Sequence, residues 1–138
     1  MDARSLLFKL KDAFNLHDME NFSDCFHEDY DSEQPAHPGR SFQGRKQAVK
    51  NWAGNFTEMP DFTAELVNYA ITENTFWAEW DWKGTRKDHS QLHMRGITIF
   101  GVDKGRIRWG RLFVEPVDES GKDIEAAVKE LMHGKKKI

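Results

Sequence analysis

The stretch Phe76-Trp77-Ala78-Glu79-Trp80-Asp81-Trp82 decides the fold. Its even positions, 76, 78, 80 and 82, are all apolar, while Glu79 and Asp81 fall between them. Successive side chains of a strand point to opposite faces, so this period of two predicts a β-strand with one buried face. Working outward, Phe62–Val67 opens an earlier strand, residues 91–102 form a third and residues 106–115 a fourth. Asp103-Lys104-Gly105 reads as the hairpin turn between the last two, with glycine where a positive φ is wanted. Pro116 closes the sheet.

Upstream of residue 62 the period is 3.6. Residues 2–16 read as an amphipathic helix with Leu6, Leu7, Leu10, Ala13 and Phe14 on one stripe and Asp2 as N-cap. Asp18 caps a short second helix over 18–26, whose stripe is Phe22, Cys25 and Phe26. Residues 27–44 carry loop signals (Pro35, Pro38, Gly39, Gly44) and a short strand near 29–33. A third helix covers 45–57, with Ala48, Val49, Trp52, Ala53 and Phe56 on one face, and Met59-Pro60-Asp61 stops it. Beyond the sheet, Ser120 is expected to cap a last helix over about 120–134, with Asp123 at the capping-box position and Ile124, Val128 and Leu131 on its stripe. Gly134 ends it, and Lys135-Lys136-Lys137 reads as a solvated basic tail. Three helices followed by a four-strand meander predict an α+β fold. A cone-shaped, curved antiparallel or mixed sheet wraps around the three N-terminal helices, with a C-terminal helix after it. The expectation is one domain over 1–138, its core at about 5–117, with a pocket between the third helix and the concave face of the sheet.

Composition excludes several classes. Aromatics make up 12% of the 138 residues, including ten Phe and five Trp, so large rings must line a core, a pocket or an interface. Twenty Lys and Arg against 23 Asp and Glu leave a net charge of -3, which argues against a nucleic-acid partner. No apolar run approaches the ~20 residues of a membrane span. Met1-Asp2-Ala3-Arg4 leads straight into a charged helical pattern, so no signal peptide and a cytoplasmic location are expected. The single Cys25 excludes an intrachain disulfide framework. His17, His27 and His37 are ten apart, and no two His sit at i, i+3 or i, i+4 within a helix, so neither a metal site nor a cofactor is expected.

The order of elements and several local motifs resemble the nuclear transport factor 2-like superfamily, in particular its SnoaL-like, polyketide cyclase-like branch. The resemblance covers roughly residues 5–117. Asn15-Leu16-His17-Asp18-Met19-Glu20 resembles that family's break between its first two helices. Phe26-His27-Glu28-Asp29-Tyr30 resembles the entry to its first strand, and Phe42-Gln43-Gly44-Arg45-Lys46-Gln47-Ala48 the start of its third helix. Arg95–Phe100 with Asp103–Ile107 resembles its closing hairpin. The resemblance implies that Phe76, Ala78, Trp80 and Trp82 line the cone, with Met94, Gly96, Thr98 and Phe100 on the next strand and Gly110, Leu112 and Val114 on the last. Trp52 would project from the third helix into the same space. It also implies where a catalytic base would stand in cyclases and epoxide hydrolases, and there this chain has Leu112. At the positions matching the steroid isomerases' acid–base set it has Gln34, Thr98 and Leu10.

Two function classes follow. One is a cyclase- or isomerase-like enzyme of secondary or xenobiotic metabolism. The alternative is a non-catalytic ligand-binding or dimeric interaction domain. The expected ligand is a small, largely apolar or aromatic molecule, held by Trp52, Trp80, Trp82, Met94, Thr98, Phe100, Leu112, Tyr30 and Gln34. His37 and His93 are the candidate catalytic groups, because an imidazole beside a carboxylate can act as a base near neutral pH. Glu79, Asp81, Arg95 and Arg111 read as a charge ladder on the outer face. The same odd-numbered face carries Trp77, Ile97, Ile99, Trp109 and Phe113. So large an apolar patch predicts a homodimer through the sheet, with the last helix as the competing cover.

Overall fold

The computed structural model describes residues 1–134. The Lys135–Lys137 tail lies outside the described residues. In chain order the elements are α1 (Ala3–Leu16), α2 (Met19–Asp24), β1 (Phe26–Glu33), β2 (Phe42–Gln43), α3 (Arg45–Glu58), β3 (Thr63–Thr72), β4 (Thr75–Thr85), β5 (Gln91–Asp103), β6 (Arg106–Pro116) and α4 (Ile124–His133). A single 3₁₀ turn, Pro38–Arg40, precedes β2. The expected α+β fold is the observed one. Among the described residues six strands form one mixed sheet in the order β2-β1-β6-β5-β4-β3. Only β1 and β6 run parallel to each other; the other neighbours are antiparallel.

The caps explain the helix starts. Asp2 Oδ1 accepts from the Ser5 backbone N–H at 2.8 Å, and Asp18 Oδ1 from that of Asn21 at 3.0 Å. At the last helix the expected cap is corrected. Asp123, not Ser120, is the N-cap, and its Oδ1 accepts from the Ala126 N–H at 2.9 Å. The hairpin turn between β5 and β6 has positive φ at both Lys104 (52°) and Gly105 (76°), the geometry whose twist matches paired strands. The expected strand near 29–33 is longer, 26–33. Its inward positions are Phe26, Tyr30 and Ser32. The polar run Glu28-Asp29 and the buried Ser32 hide that alternation in the sequence.

The even face of β4 is buried throughout, from Phe76 to Gly84. Against it pack Leu6, Leu7, Leu10 and Phe14 of α1 and Phe22 of α2, all at most 3% exposed. α3 lies less deeply, and only Ala48 and Phe56 of its apolar stripe are buried. That looser seating leaves space between α3 and the concave face of the sheet.

Candidate functional site

Three strands supply much of the cavity's floor. β4 supplies Trp80 and Trp82, β5 supplies Met94, Thr98 and Phe100, and β6 supplies Leu112 and Val114. The concave face of the sheet is thus the floor. α3 lies opposite with Ala48, Asn51, Trp52 and Asn55, which are spaced i, i+3, i+4, i+7 on one stripe. The loop after β1 closes the rim with Gln34 and Arg40. The enclosed space is about 290 Å³, at the small end of ligand pockets.

The walls are mostly rings. Trp52 stands edge-on to Trp82, with centroids 5.2 Å apart at 89°, and Phe14 lies 4.6 Å from Trp52 and 5.4 Å from Trp80. Aromatic pairs prefer such edge-to-face contacts, so the rings hold one another in place. Gly110 makes room on the floor. A Cβ there would lie 2.6 Å from both Phe100 Cε1 and Tyr30 Oη.

The indole N–H groups divide. Trp80 Nε1 donates to Thr98 Oγ1 at 2.9 Å in a fully buried pair. Trp82 Nε1 is buried and has no hydrogen-bond partner. A buried donor left unpaired costs about 1–3 kcal/mol, so this one needs an acceptor that the protein does not supply. Tyr30 is 3% exposed. Burial pushes its hydroxyl up to about 12, against the Ser32 hydrogen bond that lowers it, so it stays protonated at neutral pH.

All nine residues expected to bind a ligand border this one cavity. Neither candidate catalytic histidine does. His37 Nε2 lies 2.7 Å from Glu115 Oε1 beside the sheet, with both side chains well exposed. His93 sits on the odd face of β5, where its Nε2 lies 2.9 Å from Asp81 Oδ1 and its Nδ1 3.7 Å from Glu119 Oε1. Strand parity is the reason: His93 shares the phase of Arg95 and opposes that of Met94. The loop path that takes His37 past the edge of the sheet has no signature in sequence. Asn51 and Asn55 are cavity residues that the sequence reading passed over. Their shared stripe with Ala48 and Trp52 was the available signal. Among the described residues, no carboxylate or imidazole lines the cavity, and no group of three or more His, Cys, Asp or Glu is placed to hold a metal ion.

The model of the SnoaL-like domain matches residues 9–109. The chain belongs to the SnoaL-like domain family. Its solved neighbours share the fold of this SnoaL-like domain at low identity. IdmH from Streptomyces antibioticus, described as a candidate polyketide cyclase, is 19% identical, with a TM-score of 0.70 over 81% of this chain and 91% of that one. SalBIII, described as an epoxide hydrolase/cyclase-like enzyme in pyran ring formation of the polyether salinomycin, is 15% identical, with a TM-score of 0.71 over 81% and 89%. AclR from Streptomyces galilaeus, described as a candidate hydroxylase, is 12% identical, with a TM-score of 0.71 over 81% and 87%. No curated protein matches the SnoaL-like chain by sequence.

The outer face of the sheet corrects two expectations. Trp77, Ile97 and Phe113 are exposed, at 46%, 40% and 41%. Ile99 and Trp109 are only half-exposed. Trp109 lies flat on Gly101, where a Cβ would meet its Nε1 at 1.9 Å, and the Arg111 guanidinium covers its ring at 5.2 Å. The charge ladder holds for Arg95, which lies 3.7 Å from Glu79 and 3.8 Å from Asp81, whereas Arg111 faces Glu33 at 3.8 Å. The last helix does not bury its stripe: Ile124 and Leu131 are 80% and 84% exposed. No helix among the described residues is long and apolar enough to cross a membrane.

Proposed function

We propose that this SnoaL-like domain binds a flat, largely apolar molecule between α3 and the concave sheet. The observation that carries the reading is the buried Trp82 N–H without a partner in the wall of an aromatic cavity. A ligand carbonyl or ether oxygen would satisfy it while the rings take the ligand's faces. Intrinsic tryptophan fluorescence against an aromatic library tests this. Saturable, one-to-one quenching is expected, and Trp82→Phe, which keeps a ring and loses the N–H, should weaken binding about tenfold. A library with no saturable member would refute the reading.

Catalysis is the second reading, favoured by the polar set in the walls. Tyr30, Thr98, Trp82 and the two asparagines offer donors, and among the described residues no carboxylate or imidazole stands there as a base. Such walls suit a cyclisation in which the protein holds a flexible chain in its reactive shape and stabilises developing charge on an oxygen. The likeness to IdmH and SalBIII supports that chemistry by fold alone.

The exposed Trp77, Ile97 and Phe113 support pairing with a second copy through the outer face. The patch is bordered by Glu79 and Arg95, each about half exposed, so acid and base can meet across a two-fold axis.

A further inference from the structure

We propose that the molecule held in this cavity carries an anionic oxygen on its flat apolar body, a carboxylate, phenolate or enolate, and that Arg40 selects for it. The proposal rests on the binding reading above and adds the ligand's charge. Arg40 is the only formally charged side chain among the described residues that line the cavity at neutral pH. It stands there although acidic residues outnumber basic ones, 23 to 20, in the whole chain. Among the described residues no carboxylate lies within ion-pair distance of it, as is also true of Arg4, Arg45 and Arg86, whereas Arg95, Arg106, Arg108 and Arg111 each face one.

The loop holds Arg40 ready. The His37 N–H donates to Gln34 O at 2.7 Å and the Arg40 N–H to His37 O at 2.9 Å, so two successive turns bring the chain back to the rim. Ser41 Oγ donates to Pro38 O at 3.0 Å and braces the same turn. Arg40 Nη1 donates to Gln34 Oε1 at 3.1 Å. That bond uses one of five guanidinium N–H groups and also orients the neighbouring amide: with its oxygen turned to Arg40, Gln34 keeps both N–H donors of its NH₂ and one lone pair on Oε1. The unpaired Trp82 N–H and the protonated Tyr30 hydroxyl point the same way, because both can donate. The uncommitted polar capacity of the site is therefore mostly donor, with its one positive charge at the solvent end. An oxyanion fits that set, and a cation does not.

The test compares 2-naphthoate with its uncharged isostere 2-naphthamide on the full chain, by tryptophan quenching at neutral pH. Naphthoate is expected to bind about tenfold more tightly. Arg40→Gln should abolish that preference by weakening naphthoate about tenfold, and added salt should weaken naphthoate more than naphthamide. Arg40 is exposed in a loop, so the melting temperature of the variant should match that of the parent. Equal affinity for the two probes, or an unchanged preference in Arg40→Gln, overturns the charge proposal and leaves the binding reading standing. If neither these probes nor the aromatic library binds, both fall.

Discussion

At the scale of single residues, Gly110 lets two rings of the cavity lining, Phe100 and Tyr30, seat against the backbone of β6. Gly110 faces Tyr30 Oη and Phe100 Cε1 so closely that one methyl group would clash with both at 2.6 Å. Gly110→Ala should therefore cost about 1–3 kcal/mol, read from urea melts, and should weaken ligand quenching as the floor shifts. Leu112 lies half-buried in the wall where the resemblance to cyclases implies a base. Leu112→Asp should lower stability, because the carboxylate would lie among rings without a cationic partner. A variant melting with the parent would show that solvent reaches this position freely.

At the scale of elements, two ties hold the helices to the sheet, and each is measurable. The Asn15 side chain behaves as one more strand residue on the edge of β3. Its Nδ2 donates to Ala64 O at 2.9 Å, and the Ala64 N–H donates to its Oδ1 at 2.8 Å. His17, in the left-handed region at φ 52°, then turns the chain out of α1, bonds Phe62 O at 2.9 Å and stacks on Phe56 at 4.3 Å. Asn15→Leu should cost about 1–3 kcal/mol, because both buried backbone groups of Ala64 lose their partner. Urea melts check it, with protection of the Ala64 amide from hydrogen exchange lost in parallel.

The second tie is Asp24 at the end of α2, held by Lys9 of α1 and by Arg106 of β6, whose Nη2 lies 2.9 Å away. Lys9 first and Arg106 second draw its carboxyl down from 3.8 to about 2. A depressed folded value stabilises above the ordinary pKa and is lost as pH falls through the folded one. The contribution should thus be complete above pH 3.8 and fade toward about 2. Asp24 is half-exposed, so solvent screening holds it to less than about 1 kcal/mol. Stability measured across that window should fall less steeply in Asp24→Asn than in the parent.

At the scale of the whole molecule, the convex side of the sheet carries exposed apolar side chains. Trp77, Ile97 and Phe113 remain exposed, and α4 turns no apolar stripe toward them. Pairing of two copies predicts a single species of twice the chain mass in sedimentation at micromolar concentration. Trp77→Glu or Phe113→Glu should split it into monomers whose far-ultraviolet spectrum is unchanged. A parent chain that sediments as a monomer would refute the pairing.

The periodicities were legible without coordinates. Strict alternation over 76–82 determined which face of β4 is buried, and the apolar stripes with Asp2 and Asp18 determined where the first helices begin, because both depend only on local backbone geometry. The order of elements likewise carried the α+β fold, whereas β5 carries apolar residues on both faces, so its cavity positions followed from the family resemblance and not from alternation. Tertiary structure alone decided the rest. Which buried N–H finds a partner depends on the neighbour across the sheet, so Trp80 is satisfied by Thr98 and Trp82 is not. Whether Trp109 is exposed depends on Gly101 beneath it, and where His37 and Arg40 come to lie depends on the path of a loop. These are contacts between residues distant in sequence, and no local pattern encodes them.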